Sequence, residues 1–394
     1  MTGTPHRSSL QLQCLAYLSL GAPIALLGVG WPGARERFGA SEGALGLVVL
    51  GYGLGRLATS PTALAILRRW HIRTATSALL AGVAVSGIAI ATTRSYAVLV
   101  GAMTALGLLT GAADSLGNRY QSVIRDVGAA GLAFGSYAVG STLGPAVLAI
   151  TSWPVAFAAS AGLAALTAGL ALRPTLAWPD ALDAPEPPRS RADRFDVPAT
   201  AIALSLAVFA FYSGLEVVTA NWAASYLEGH REMAADAAAL AMSGFWAGMT
   251  VGRFGLGALS RRAGLAPARI LTGAGLALAV LYLLLPTAPL PVSVAALALA
   301  GLAISVVFPT LSSSTADRVG VAAAGRMVTM QLLVANVSAT ALSYAVGAGV
   351  DRIGTGVPGV VFAVLAVGGI PVLLGSVRLH PDPRPAPEPA PSLP

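Results

Sequence analysis

Lysine is missing from this chain altogether: all 24 basic residues are arginine. Charged residues of either sign fill only 10% of the 394 positions, against about 25% in soluble globular domains, which argues against a water-soluble enzyme. A single cysteine, Cys14, excludes a disulfide framework and a thiolate-bound metal cluster. The four histidines, His6, His71, His230 and His380, all fall outside the long apolar runs, so no haem or histidine-metal site is expected within them. Neither a Walker-type phosphate loop nor a His-Glu-x-x-His motif occurs, and the sequence calls for no cofactor.

Apolar residues dominate instead, at 55% of the chain with a mean hydropathy of +0.74. Runs long enough to cross a bilayer as helices, about 20 residues each, lie at 10–31, 42–66, 74–92, 96–119, 128–150, 153–172, 198–222, 237–259, 268–286, 290–314, 321–349 and 356–378. These twelve runs predict an all-α integral membrane protein. The first run is too long for a signal-peptide core and lacks a small-residue cleavage site.

A net charge of +7 would suit a nucleic-acid partner, but its distribution argues otherwise. The arginines gather in short clusters between apolar runs, with no interleaved aromatics of the kind a phosphate-binding face uses. With both termini inside, the cytoplasmic segments hold 17 arginines and the external ones five (Arg35, Arg37, Arg94, Arg231 and Arg352). The positive-inside rule selects that topology. Abundant alanine, glycine and arginine without lysine fit a GC-rich, bacterial source.

Segment 173–197 contains Pro174, Pro179, Pro185, Pro187 and Pro188 among charged residues and reads as an aqueous, cytoplasmic linker. The expected organisation is a six-helix bundle over 1–172, that linker, a second six-helix bundle over 198–379, and a disordered Pro-rich tail over 380–394. The halves share a signature: Gly51-Tyr52-Gly53-Leu54-Gly55-Arg56 in span two and Gly248-Met249-Thr250-Val251-Gly252-Arg253 in span eight. Each precedes a short loop with paired arginines, Arg68-Arg69 and Arg261-Arg262. Matches at equivalent positions of a 6+6 pattern point to internal duplication, hence to alternating access.

Four ionisable side chains lie well inside the spans: Arg56, Asp114, Glu216 and Arg253. Each costs on the order of 3 kcal/mol at the bilayer centre, so each should face protein or a water-filled cavity. Glu216 is the first candidate proton carrier, with Asn221 and Trp222 on the same helix offering an amide and an aromatic face to a polar solute. The structural alternative is a carboxyl group tying its helix to a neighbour. Asp114 and Asn118 stand four residues apart, on one helical face, where they line a cavity or, for Asp114, pair with an arginine. Arg56 and Arg253 are read as inter-helix ties. Trp246, Gln331 and Asn336 are further candidate cavity linings. Gly140-Ser141-Thr142-Leu143-Gly144-Pro145 permits close helix approach and, at Pro145, a bend.

Together these features resemble the major facilitator superfamily. Gly257-Ala258-Leu259-Ser260-Arg261-Arg262-Ala263-Gly264 is similar to its loop signature between the second and third helices of a half, with Ser260-Arg261 where the signature has an acidic residue. Within it, Gly214, Glu216 and Trp222, followed by Phe245-Trp246, Gly248, Gly252 and Arg253, are similar to the fucose-permease-like sugar:proton symporter group, as is the Asp114 and Asn118 pair. The resemblance implies a monomeric multi-pass transporter of the cell membrane, moving a sugar-like solute with protons, with Glu216 and Asp114 as the coupling carboxylates. Gly140, Gly144 and Pro145 also resemble part of the antiporter motif, so the alternative is a proton-antiport exporter of drugs or amphipathic metabolites.

Overall fold

The computed structural model describes residues 5–59, 70–124, 127–174, 176, 178, 197–263, 266–315, 319 and 321–379. Each of the twelve expected runs contains a helix, residues 60–66 of the second run lying outside the described residues: α1 (Pro5–Ala34), α2 (Leu45–Leu57), α3 (Ile72–Thr92), α4 (Tyr96–Ile124), α5 (Val127–Ala149), α6 (Trp153–Ala171), α7 (Ala199–Gly229), α8 (Ala235–Ala263), α9 (Pro267–Thr287), α10 (Leu290–Ile304), α11 (Val321–Ile353) and α12 (Val357–Leu379). A short helical segment, Val307–Ser313, continues α10 after a break at Ser305 and Val306. No strand occurs among the described residues. Inside a bilayer the backbone must satisfy its own hydrogen bonds, and a helix does so within one segment.

Ten of these helices are long and apolar enough to cross a membrane. Of the other two, α2 is described over only 13 residues, and α8 carries Asp236, Arg253, Arg261 and Arg262. Several boundaries outrun the apolar runs: α7 reaches Gly229 and α11 reaches Ile353. Proline opens α6, α9 and α10 within the first two positions, where its missing N–H leaves no bond unmade. Gly39, at φ 58°, and Gly354, at φ 121°, turn the chain after α1 and after α11 at the same end of the molecule.

Helix pairing repeats. In the first half α1 packs on α5, α2 on α4, α3 on both α4 and α6, and α1 on α6. Raising every number by six gives α7 on α11, α8 on α10, α9 on both α10 and α12, and α7 on α12, all of which are present. Contacts between the halves obey the same rule: α2 meets α11, α5 meets α8, and α1 meets α7. The chain therefore has an internal pseudo-two-fold.

The shared Gly-x-x-x-Gly-Arg signature explains part of this. A Cβ at Gly55 would overlap the Thr104 carbonyl of α4, and one at Gly107 would overlap the Tyr52 carbonyl of α2. Likewise a Cβ at Gly248 would overlap the Ala298 carbonyl of α10, and one at Gly301 the Phe245 carbonyl of α8. Small residues bring backbones together where lipid supplies no hydrophobic drive for association.

Candidate functional site

Because glycines seat α2 so closely on α4, the arginine that follows them reaches the neighbouring helix. Arg56 Nη2 lies 2.7 Å from Asp114 Oδ2. One turn earlier, the Tyr52 hydroxyl is 3.5 Å from Arg56 Nη1 and 3.2 Å from Thr110 Oγ1, which stands one turn before Asp114 on α4. In the second half Arg253 Nη2 lies 3.5 Å from Glu216 Oε1 of α7. The four intramembrane ionisable residues thus form two ion pairs, one per half. The pairs are not symmetry mates, since α2 reaches α4 whereas α8 reaches α7.

Three further tyrosines lie within electrostatic reach of these pairs. Tyr137 of α5 lies within electrostatic reach of Asp114 and of both guanidiniums, Arg56 and Arg253. Tyr17 of α1 is within reach of Asp114 and Arg56. Tyr282 of α9 is within reach of Glu216 and shares a 2.8 Å hydrogen bond with Thr219. Close by in sequence to Tyr137 and Arg253, Thr142 and Thr250 join their hydroxyls at 3.2 Å across the α5–α8 boundary. These tyrosines were not singled out in the sequence; only Tyr52 carried a signal, its position one turn before Arg56.

The remaining candidates fall into separate networks. Asn221 Nδ2 donates to Ser343 Oγ at 3.1 Å, and the Trp222 indole N–H donates to the Ser343 carbonyl at 3.1 Å, so both fully buried side chains bind α7 to α11. Asn221 Oδ1 has no partner among the described residues. Trp246 is buried on α8, and its indole N–H has no partner among the described residues. Gln331 donates to Ser205 at 3.0 Å and accepts from Thr315 at 3.2 Å. Asn336 bonds the Leu332 carbonyl of its own helix at 2.8 Å, and Asn118 is exposed on α4. Gly144 lies against Ala22 of α1, and Ser141 donates to the Gly21 carbonyl at 3.1 Å, so the stretch ending in Pro145 fastens α5 to α1. The side chains of Arg261 and Arg262 lie outside the described residues. No group of three metal-ligating side chains occurs among the described residues.

The sequence profile of the Major Facilitator Superfamily matches residues 13–343. The chain belongs to that superfamily. It is a membrane transporter for a small molecule and not an enzyme. No curated protein matches its sequence. Solved structures agree on the fold. A D-xylose-proton symporter superposes with a TM-score of 0.77 at 15% identity, covering 96% of this chain and 99% of that one. A mutant of the nucleoside transporter NupG gives 0.72 at 14% identity, covering 95% of this chain and 100% of that one. The human organic anion transporter TETRAN gives 0.67 at 17% identity, covering 94% and 100%.

Proposed function

We propose that this major facilitator protein is a proton-coupled transporter of a small, polar, sugar-like solute, related to the fucose-permease-like group and working by alternating access. The observation that carries the reading is the occupancy of each half by one carboxyl–guanidinium pair, Arg56–Asp114 and Arg253–Glu216, with Tyr137 within reach of both arginines. A proton arriving at such a carboxylate cancels its attraction for the arginine. The freed guanidinium then seeks other acceptors, and that change can bias one arrangement of the halves over the other. Glu216 carries the coupling proton, since its longer contact is the looser of the two, and Asp114 assists.

Solute binds between the halves, with Asn118, Asn221, Trp222, Trp246, Gln331 and Asn336 as candidate contacts or supports. The two domains, 1–172 and 198–379, rock about that site, joined by the 173–197 linker. The protein acts as a monomer in a bacterial cell membrane with both termini in the cytoplasm, as the arginine distribution favours.

The test is proton flux into proteoliposomes holding a pH dye, challenged with a sugar panel and separately with cationic and neutral drugs. Proton movement with a sugar, lost in Glu216→Gln while solute exchange persists, supports the reading. Proton movement only with drugs, and opposite to theirs, makes the protein an exporter.

A further inference from the structure

The end of the molecule bearing the α1–α2 and α11–α12 connections is closed by a seam with few side chains. A Cβ at Gly43 would overlap the Gly347 carbonyl of α11, Gly46 lies against Tyr344, and a Cβ at Gly53 would overlap the Thr340 side chain. Beside it, a Cβ at Gly28 of α1 would overlap the Ala220 carbonyl of α7. At the rim of this seam stands Asp351, near the last turn of α11 and outside the set of ion pairs described above. Its Oδ1 accepts the Gly43 backbone N–H at 2.8 Å, and its Oδ2 accepts the Ser41 hydroxyl at 2.9 Å.

Those two donors belong to the turn that starts α2. The 3-10 turn Glu42–Ala44 runs directly into α2, with Ser41 at its N-cap position. Serine there ordinarily caps its own helix by accepting a backbone N–H. Here Ser41 makes no such bond; it donates to Asp351, and the carboxylate takes the N–H instead. A residue of the second half therefore caps a helix of the first, with its negative charge at the positive end of the helix dipole. The stretch Gly39-Ala40-Ser41-Glu42-Gly43 has the Gly-x-Ser-x-Gly spacing of hydrolase elbows, but it leads into the 3-10 turn Glu42–Ala44 and the partner of its serine is a carboxylate.

The capped turn is firmly part of the first half. The Trp31 indole N–H donates to the Glu42 carbonyl at 2.8 Å, Arg35 pairs with Glu42 at 2.8 Å, and Tyr96 donates to the Ala44 carbonyl at 2.7 Å. Asp351, in turn, is carried by α11, which packs on α7. Its two bonds consequently join one half to the other and cannot survive their separation at this end.

We propose that Asp351 is the latch of this end: by capping α2 in trans it holds the α2–α11 seam shut, and its release accompanies each opening. The inference rests on the alternating-access reading of the fold, and the experiment separates the two. In a Cys14→Ser background, spin labels are placed at Arg94→Cys and Ile353→Cys, both exposed at the latched end. A second pair is placed at Trp70→Cys and Arg269→Cys, exposed at the opposite end. Distances are read by electron–electron double resonance in the full-length protein.

Loss of a helix cap shifts a two-state equilibrium by about five- to tenfold. Asp351→Ala should raise the population of long distances at the latched end by that factor, and Ser41→Ala should raise it less. Shortening at the opposite end in the same samples shows that the latch governs a reciprocal motion. Lengthening at the latched end with no change opposite leaves the latch standing and removes the rocking motion. Unchanged distances at the latched end in Asp351→Ala overturn the latch. Asp351 is itself exposed, so the variant should fold.

Discussion

Arg56 Nη2 and Asp114 Oδ2 meet at 2.7 Å, joining α2 to α4 within the first half, with side-chain exposures of 27% and 19%. At that exposure water still screens the pair, so its net worth is modest, while removing one partner strands the other in a poorly solvated place. Arg56→Gln and Asp114→Asn should each destabilise the protein, and the double variant should lose less than the sum of the two single losses. The expected coupling is about 0.5–1 kcal/mol, read from thermal unfolding in detergent. Strictly additive losses would show that the contact contributes nothing.

The second pair, at 3.5 Å between Arg253 and Glu216, should behave differently in transport. Arg253→Gln leaves Glu216 without its cation and is expected to lower the exchange rate at least tenfold. Adding Glu216→Gln to it should restore exchange without restoring accumulation. Counterflow of labelled solute, run with and without a proton gradient, separates these outcomes. Accumulation that persists in the double variant would take coupling away from Glu216.

Backbone contact at the repeated glycines makes a stability prediction. Gly55→Ala drives a methyl group into the Thr104 carbonyl, whereas a Cβ at Gly33 meets nothing within 4 Å. Overpacking of this kind costs about 1–3 kcal/mol, so Gly55→Ala should unfold at a clearly lower temperature than Gly33→Ala. Equal melting temperatures would mean that α2 shifts freely on α4.

Two buried tryptophans offer a paired comparison. Trp222→Phe removes the donor of the bond to the Ser343 carbonyl and should cost about 1 kcal/mol of stability through the lost α7–α11 bond, that carbonyl keeping its place within the helix. Trp246→Phe removes an N–H that has no partner among the described residues, so stability should hold. Should the solute accept that N–H, KM for exchange rises about tenfold, as for a lost hydrogen bond of about 1.5 kcal/mol. An unchanged KM removes Trp246 from the list of solute contacts.

Hydropathy alone marked all twelve helices, because a bilayer imposes a length and an apolar composition that no turn or loop shares. It placed ends less well. Residues past 222 in α7 and past 349 in α11 are helical but less apolar, so hydropathy stopped short of them. The break at Ser305 and Val306 was also hidden, since residues on both sides are equally apolar.

The four charged residues of the site stood out for the opposite reason, being costly exceptions in apolar runs. Which would pair was not legible. Arg56 meets Asp114 only because α2 packs on α4, and adjacency between helices 58 residues apart in sequence is a property of the fold. Tyr17, Tyr137 and Tyr282 escaped notice since a tyrosine within an apolar span is unremarkable until the fold brings it within electrostatic reach of a charge. Asp351 escaped for a related reason: near a helix end it looks like an ordinary surface acid.

The glycine seam between α2 and α11 has a kinetic consequence. Surfaces that meet through main-chain atoms have few interlocked rotamers to disengage, so the halves can part there without re-sorting side chains and can rejoin in the same register. The Ser41, Gly43 and Asp351 bonds are then the discrete event: separation must break them, and rejoining remakes them.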